Sequence, residues 1–262
     1  VDEEKILTTN VWSSELSKLT SNAFLAQRIS SINSIATLCE ATGADIQEVS
    51  TAIGTDTRIG KKFLEAGPGF GGSCFQKDIL NLVYLCSHYG LDHIADYWQK
   101  VIELNKWHQH RIAEKVVENL FGTVTGKRIA IFGFAFKADT NDTRESPAIR
   151  VCNDLLEEGA KLAFYDPKVS DEQISKDLNL LNKFPDENSR KNNIIFCKSC
   201  SQAAIGADAI IILTEWSEFK SLDWAQLSSV MRKPSWLFDA RRCSDTESSK
   251  AAGMKIWKIG AK

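Results

Sequence analysis

Histidine is scarce in this sequence, with four residues among 262 and none in an HExxH arrangement. The seven cysteines, an odd number, are read as carrying no CxxC pair. These counts give poor support for a zinc site and point to a reducing compartment. Charge of one sign is lacking too: 32 lysines and arginines meet 34 aspartates and glutamates, for a formal net charge of −2. Such a chain has no general field for holding a polyanion, so nucleic acid is not an expected partner. A small anion needs only a local cluster of cations and stays open. No apolar run approaches the roughly 18 residues of a membrane span, and no secretory signal opens the chain. The cytoplasm is the expected compartment, and no membrane partner is expected. An initiator methionine is also missing, as though the sequence were cut from something longer.

What is present is an ordinary globular composition, 43% hydrophobic and 25% charged, in a chain long enough for two domains. The run SSELSKLTSNAFLAQRISSINSIATLCEATGAD places Leu16, Leu19, Ala23, Ala26, Ile29 and Ile32 at helical spacing. Ser13 or Ser14 is its expected N-cap and Gly43 its C-cap. DIQEVSTAIGTD reads as a shorter helix opened by Asp45 with Glu48. FQKDILNLVYLCSHYGL is a third. The segment from His93 to Leu120 then runs without proline or glycine, a length suited to a spine joining two domains.

The pattern changes near Gly122. KRIAIFGFAF, KLAFYDPKV, DAIIILTEW, WLFDARR and MKIWKIG read as strands, alternating with helices in SPAIRVCNDLLEEGA, SCSQAAIGA and SLDWAQLSSVM. The expected fold is therefore α followed by α/β. A helical domain with a long connecting helix spans residues 1–120, and a Rossmann-like, mostly parallel domain spans 121–262. Its first strand leads into GFAFKADTNDTRESP, with one glycine where a dinucleotide fingerprint needs GxGxxG. The domain is thus not expected to be the main nicotinamide-dinucleotide binder, although its crevice is open to another nucleotide.

One stretch of the helical part concentrates chemistry. In GPGFGGSCFQKD, residues 67–78, four glycines precede Cys74. Glycines permit positive φ and let a ligand or backbone approach the turn. Ser73 and Gln76 match a capping box, which would put Cys74 in the first turn of the next helix, where unpaired N–H groups favour a thiolate. Asp78 lies one turn on. Read alone, Cys74 is either a small buried core residue or a nucleophile. Lys18 and Asn22, four apart, share a face of the first helix, where a lysine is ordinarily solvated. Together these residues supply a thiol, a cation, an amide and a carboxylate, enough to attack a carbonyl and stabilise the oxyanion. The four histidines sit in contexts that suggest helix surfaces, so a Cys–His protease pair is poorly supported.

The sequence as a whole resembles the UDP-glucose 6-dehydrogenase family of the animal type. SSELSKLTSNAFLAQRISSINSI, GFGGSCFQKD, GFAFKADTNDTRESPA, YDPKV, LTEW and FDARR occur in that family's order over nearly the entire chain. The resemblance covers the family's central helical and C-terminal UDP-binding domains, with no counterpart of its N-terminal GxGxxG domain. It implies an NAD-dependent enzyme that oxidises UDP-glucose to UDP-glucuronate through a cysteine thiohemiacetal and thioester, with NAD as cofactor. The chain itself is expected to be an inactive C-terminal fragment of that enzyme. The resemblance assigns Cys74 the nucleophile's place. It gives Lys18 and Asn22 the stabilisation of charge on oxygen, and Asp78 the assistance of Lys18 and the hydrolytic water. Phe70 and Gly71 match positions beside the sugar nucleotide, Phe136 and Lys137 its uracil-sugar contacts, and Arg241 a cation at the UDP-sugar. Arg58 resembles an arginine that reaches a neighbouring subunit's substrate, and Lys77 and Arg144 resemble cofactor contacts. A homo-oligomer built from dimers, up to a hexamer, is implied as well.

Two positions depart from the family pattern. Ala240 in FDARR stands where a glycine is expected, and Glu65 in KKFLEAG stands where some relatives would carry a basic residue near the diphosphate. A related dehydrogenase for GDP-mannose or an N-acetylated UDP-sugar, and a non-catalytic UDP-binding or assembly fragment, are the alternatives.

Overall fold

The computed structural model describes residues 2–262. Its first part is built on helices α1 (Val11–Thr42), α2 (Ile46–Gly54), α3 (Phe75–His88) and α4 (Asp92–Asn119). The N-cap of α1 is Asn10 rather than either expected serine; its side chain accepts the Ser13 N–H at 2.8 Å. Ser13 and Ser14 already lie inside the first turn. Gly43 ends the helix in the left-handed region, φ 86°. Ala23 and Ala26 of α1 are fully buried against Ile79 of α3 and Ile102 of α4, and the small side chains let the three helices approach closely.

The second part is a six-stranded sheet: β1 (Arg128–Phe132), β2 (Lys161–Tyr165), β3 (Ile194–Phe196), β4 (Ala209–Ile212), β5 (Trp236–Asp239) and β6 (Lys255–Lys258). The order is β3-β2-β1-β4-β5-β6 and every pairing is parallel. This is the doubly wound order, with its switch point between β1 and β4. Helices α5 (Pro147–Glu157), α6 (Asp171–Asp177), α7 (Leu180–Lys183), α8 (Glu187–Asn193), α9 (Cys200–Ala204), α10 (Trp224–Val230) and α11 (Thr246–Ala251) connect the strands. Ile129–Phe132 and Ala209–Ile212 are buried throughout, as strands covered on both faces must be. The sequence patterning missed β3, which is only three residues long and follows the polar helix α8.

Two connections away from the strand ends help to fix how the helical part meets the sheet. The first is α4, whose Val101 and Ile102 belong to the helical core while Ile112 and Val116 belong to the core of the sheet. The second lies on β6 and the residues beyond it. Glu40 near the end of α1 pairs with Arg111 of α4 and accepts hydrogen bonds from Trp257 Nε1 (3.3 Å) and the Gly260 N–H (3.0 Å). Beside it, Arg242 holds both oxygens of Asp45 at 2.9 Å, and the Ile46 N–H donates to the Gly260 carbonyl at 2.9 Å.

Candidate functional site

Between the two parts lies a cleft of about 530 Å³. Lys62, Glu65, Phe70 and Gly71 line it from the helical side; Phe136, Lys137, Glu215 and Arg241 line it from just past the ends of β1, β4 and β5. Those carboxyl ends flank the topological switch point, where open α/β sheets bind ligands.

The glycine loop forms one wall, and polar side chains of α1 and α4 hold it from beneath. Asn33 Oδ1 accepts the Gly67 N–H (3.0 Å), and His108 Nε2 lies 2.9 Å from the Gly67 carbonyl. Asn105 clamps Phe70 at both ends, accepting its N–H (2.9 Å) and donating to its carbonyl (3.1 Å). Gly69 has φ 120°, and a Cβ there would stand 2.6 Å from Asn105 Oδ1. On the opposite side, a Cβ on Gly71 would strike the Glu145 carbonyl oxygen, and one on Gly72 would press on the Phe136 ring at 3.1 Å. The Gly72 N–H donates to the Arg144 carbonyl at 2.8 Å. The backbone these glycines admit is therefore the chain's own 136–145 loop, which seats Phe136 against the cleft.

Cys74 does not follow the capping-box expectation. It occupies the N-cap position of α3 without a side-chain cap, and the Gln76 side chain is turned to Glu145, donating to its Oε2 at 2.9 Å. Its thiol is exposed, and Ser73 Oγ lies 3.7 Å from the sulfur. One turn on, Asp78 is 2% exposed and gathers Lys18 and Asn22 from α1. Lys18 Nζ donates to both carboxylate oxygens (3.1 and 2.8 Å), and Asn22 Nδ2 donates to Oδ2 at 2.5 Å. Burial pulls the Asp78 pKa upward, but hydrogen bonds from Lys18 and Asn22 outweigh it and leave the carboxyl below its ordinary value. The Lys18 pKa is raised, chiefly by the Asp78 hydrogen bond and in smallest part by the nearby Cys74 sulfur. The structure thus brings together a thiol, an ammonium, a carboxamide and a carboxylate from two helices.

Other expected residues stand differently. Arg241 is nearly buried and much of its guanidinium is committed: Nε donates to the Leu213 carbonyl (2.8 Å), Nη2 to the Phe136 carbonyl (2.9 Å), and Nη1 faces Glu215 at 3.1 Å. Its pKa is lowered by burial, against the pull of Glu215. It therefore pins the loops after β1 and β4 as well as lining the cleft. Lys137 stacks over the Phe136 ring, 5.5 Å from its centre. Arg144 is exposed, pairs with Asp142 at 2.7 Å, and lies near Cys74. Lys77 is exposed beside Asp78. Arg58 is 88% exposed, pairs with Asp56 at 2.6 Å and does not line the cleft. Ala240 causes no strain; the left-handed residue of that turn is Arg242, φ 53°.

Sequence reasoning missed several residues. His108 is buried beneath the glycine loop instead of lying on a helix surface. Arg28 anchors the next loop, donating to the carbonyls of Ile59, Gly60 and Lys62 at 2.7–2.9 Å. Cys197 and Cys200 do form a CxxC pair, against the expectation of none, but both thiols are buried, and burial raises both pKa values.

The turn after β1 does not fit a dinucleotide. Asp166, at the end of β2, accepts the N–H groups of Phe134 (2.6 Å) and Ala135 (3.1 Å), occupying the donors a pyrophosphate would use. Thr214 packs onto Gly133 and donates to the Ala135 carbonyl at 2.6 Å, filling the remaining space.

With this geometry, the comparisons decide the family. Residues 12–107 match the central domain of the UDP-glucose/GDP-mannose dehydrogenase family, and residues 130–246 match its UDP binding domain. The chain belongs to the UDP-glucose/GDP-mannose dehydrogenase family. It is 54% identical to UDP-glucose 6-dehydrogenase of Gallus gallus over 264 residues, covering all of this chain and 53% of that protein. Its identity to UDP-glucose 6-dehydrogenase 2 of Oryza sativa subsp. japonica is 50% over 269 residues, 99% of this chain and 56% of that one. Among solved structures, a UDP-glucose dehydrogenase from Pyrobaculum islandicum aligns with a TM-score of 0.75 at 29% identity, covering 94% of this chain and 50% of that one. The chain thus spans about half the length of the curated relatives it matches.

That coverage corrects one expectation. Reading the chain as an NAD-dependent UDP-glucose 6-dehydrogenase goes further than its coverage, which is 53% of the Gallus gallus protein. The chain corresponds to the central and UDP-binding parts of family members, and the one Rossmann-like turn among the described residues is closed by Asp166. No described helix is long and apolar enough to cross a membrane.

Proposed function

We propose that these residues form the sugar-nucleotide-binding and thiol-bearing part of a UDP-glucose 6-dehydrogenase, with residues 1–120 and 121–262 as its two units. The carrying observation is the position of Cys74. It stands between cleft-lining Gly71 and Phe75 and one turn from the Lys18–Asn22–Asp78 cluster. UDP would lie against Phe136 and Lys137 with Arg241 behind, its sugar directed along Phe70 and Gly71 toward the thiol.

A sugar whose C6 is an aldehyde would meet the Cys74 sulfur as nucleophile. The C–S bond forms, the thiol loses its proton, and the carbonyl oxygen gains one, giving a thiohemiacetal. Lys18 and Asn22 supply the positive charge and the N–H that steady this oxygen as charge develops. The ionised Asp78 keeps Lys18 charged and fixed. Oxidation to a thioester would remove a hydride from C6 and the proton from its hydroxyl, and the hydride needs an acceptor, which the family resemblance makes NAD. The closed β1 turn does not fit a dinucleotide, so these residues leave that step to another unit, which Lys77 and Arg144 are placed to meet. Water held at the Lys18–Asp78 pair then cleaves the C–S bond, releasing the uronate carboxylate and restoring the thiol. Calorimetry on the chain tests the ligand assignment. UDP should bind more tightly than NAD, whereas tighter NAD binding would reverse it.

The partner is a second copy of this chain, in an oligomer built from dimers and up to a hexamer. Phe24 and Leu38 of α1 and Tyr84 of α3 are large and more than half exposed, and Arg58 extends from the surface. Sedimentation at micromolar concentration should show a dimer or larger species; a monomer of 29.2 kDa would refute association. The expected compartment is the cytoplasm, a setting compatible with seven free cysteines.

A further inference from the structure

The cleft contains a carboxylate that opposes its proposed ligand. Leu64 and Ala66 are buried in the core formed with Ile32, Ala36 and Ile46, which turns the intervening Glu65 toward the cleft wall. Three cations line the cleft, Lys62, Lys137 and Arg241, together with two carboxylates, Glu65 and Glu215, leaving a net charge of one. Glu215 is already matched to Arg241 at 3.1 Å. Glu65 is different: it forms no ion pair among the described residues, yet its charge reaches Arg241. It therefore weakens the field available to an anion without being neutralised by a partner.

We propose that Glu65 is a specificity-determining residue that lowers the affinity of the cleft in proportion to the negative charge of the ligand. This rests on the assignment of the cleft to a sugar nucleotide. A sugar diphosphate diester lacks the terminal phosphate charge of a free nucleoside diphosphate, so the penalty falls harder on the latter. Glu65 thereby favours the glycosylated ligand over its bare nucleotide. The effect is Coulombic, acting across solvent-exposed space, and it weakens with salt.

Calorimetry of the chain and of Glu65→Gln with UDP, UDP-glucose and uridine tests this. The substitution keeps the shape of the side chain at an exposed position, and the unchanged melting temperature of the variant serves as the folding control. UDP should bind the variant about three- to tenfold more tightly at low salt. UDP-glucose should gain less and uridine nothing, and the gain should shrink near 1 M salt, where screening is about 3 Å. Equal UDP affinities would overturn the inference while leaving the cleft assignment intact. Weaker binding by the variant would also overturn it, by making Glu65 a hydrogen-bond acceptor for the ligand. Failure of both proteins to bind UDP would overturn the cleft assignment, and the inference with it.

Discussion

His108 shows how far a single side chain can depart from its free behaviour. Burial lowers its pKa to about 4, with the Gly67 hydrogen bond opposing and the Arg111 charge reinforcing that shift. The unfolded chain, with an ordinary histidine near 6.5, takes up the proton first as pH falls. Stability is therefore full above about pH 6.5 and declines as pH drops toward 4, by on the order of 3 kcal/mol across the window. Urea unfolding of the chain and of His108→Gln at pH 7 and pH 5 should show this. The variant is expected to be less stable at pH 7 but to lose less between the two values. Equal losses would mean that His108 is not the titrating group. The place of His108 was partly readable: Val101, Asn105, His108 and Ile112 fall on one face of α4, and all are buried. Polar residues at core-facing positions of a helix were the signal, and judging each histidine by its immediate neighbours missed it. The exposure of Cys74 had a sequence signal, since glycines set it apart from six cysteines that are buried or half-buried.

At the scale of elements, the sequence pattern was most informative where one physical cause acts alone. Freedom from proline and glycine between His93 and Leu120 marked α4, and apolar runs marked β1, β2, β4 and β5. It failed where a distant partner competes for a local bond. Ser73 and Gln76 have the spacing of a capping box, but Glu145, 69 residues away, takes the Gln76 amide. The glycines were rightly read as admitting close approach, yet the visitor is the chain's own 136–145 loop. Asp166 gives the converse case: an acidic residue after β2 looks unexceptional until it is found holding the donors of the β1 turn. With that turn closed and Phe136 turned toward the cleft, the proposed nucleotide site is the space between the two parts.

For the whole molecule, the cleft is framed by connections between the helical part and the sheet that lie far from it. The spine α4 was visible in the sequence, but the second connection was not. It pairs Glu40 with Gly260, and Asp45 with Arg242, about 200 positions apart, and no local pattern reports such a contact. The pair of connections holds Lys18, Asn22 and Asp78 in register with a cleft whose far wall comes from the sheet. The central claim is that this arrangement captures a C6 aldehyde covalently on Cys74. The most direct measurement is carbon NMR of the chain mixed with a UDP-sugar whose C6 is a 13C-labelled aldehyde. No hydride acceptor is needed for that step. The unaltered chain should convert the aldehyde or its hydrate into a carbon bonded to one oxygen and one sulfur. Cys74→Ser should bind the same ligand without forming that signal. The same new resonance from Cys74→Ser, or its absence from the unaltered chain with the ligand bound, would contradict the account.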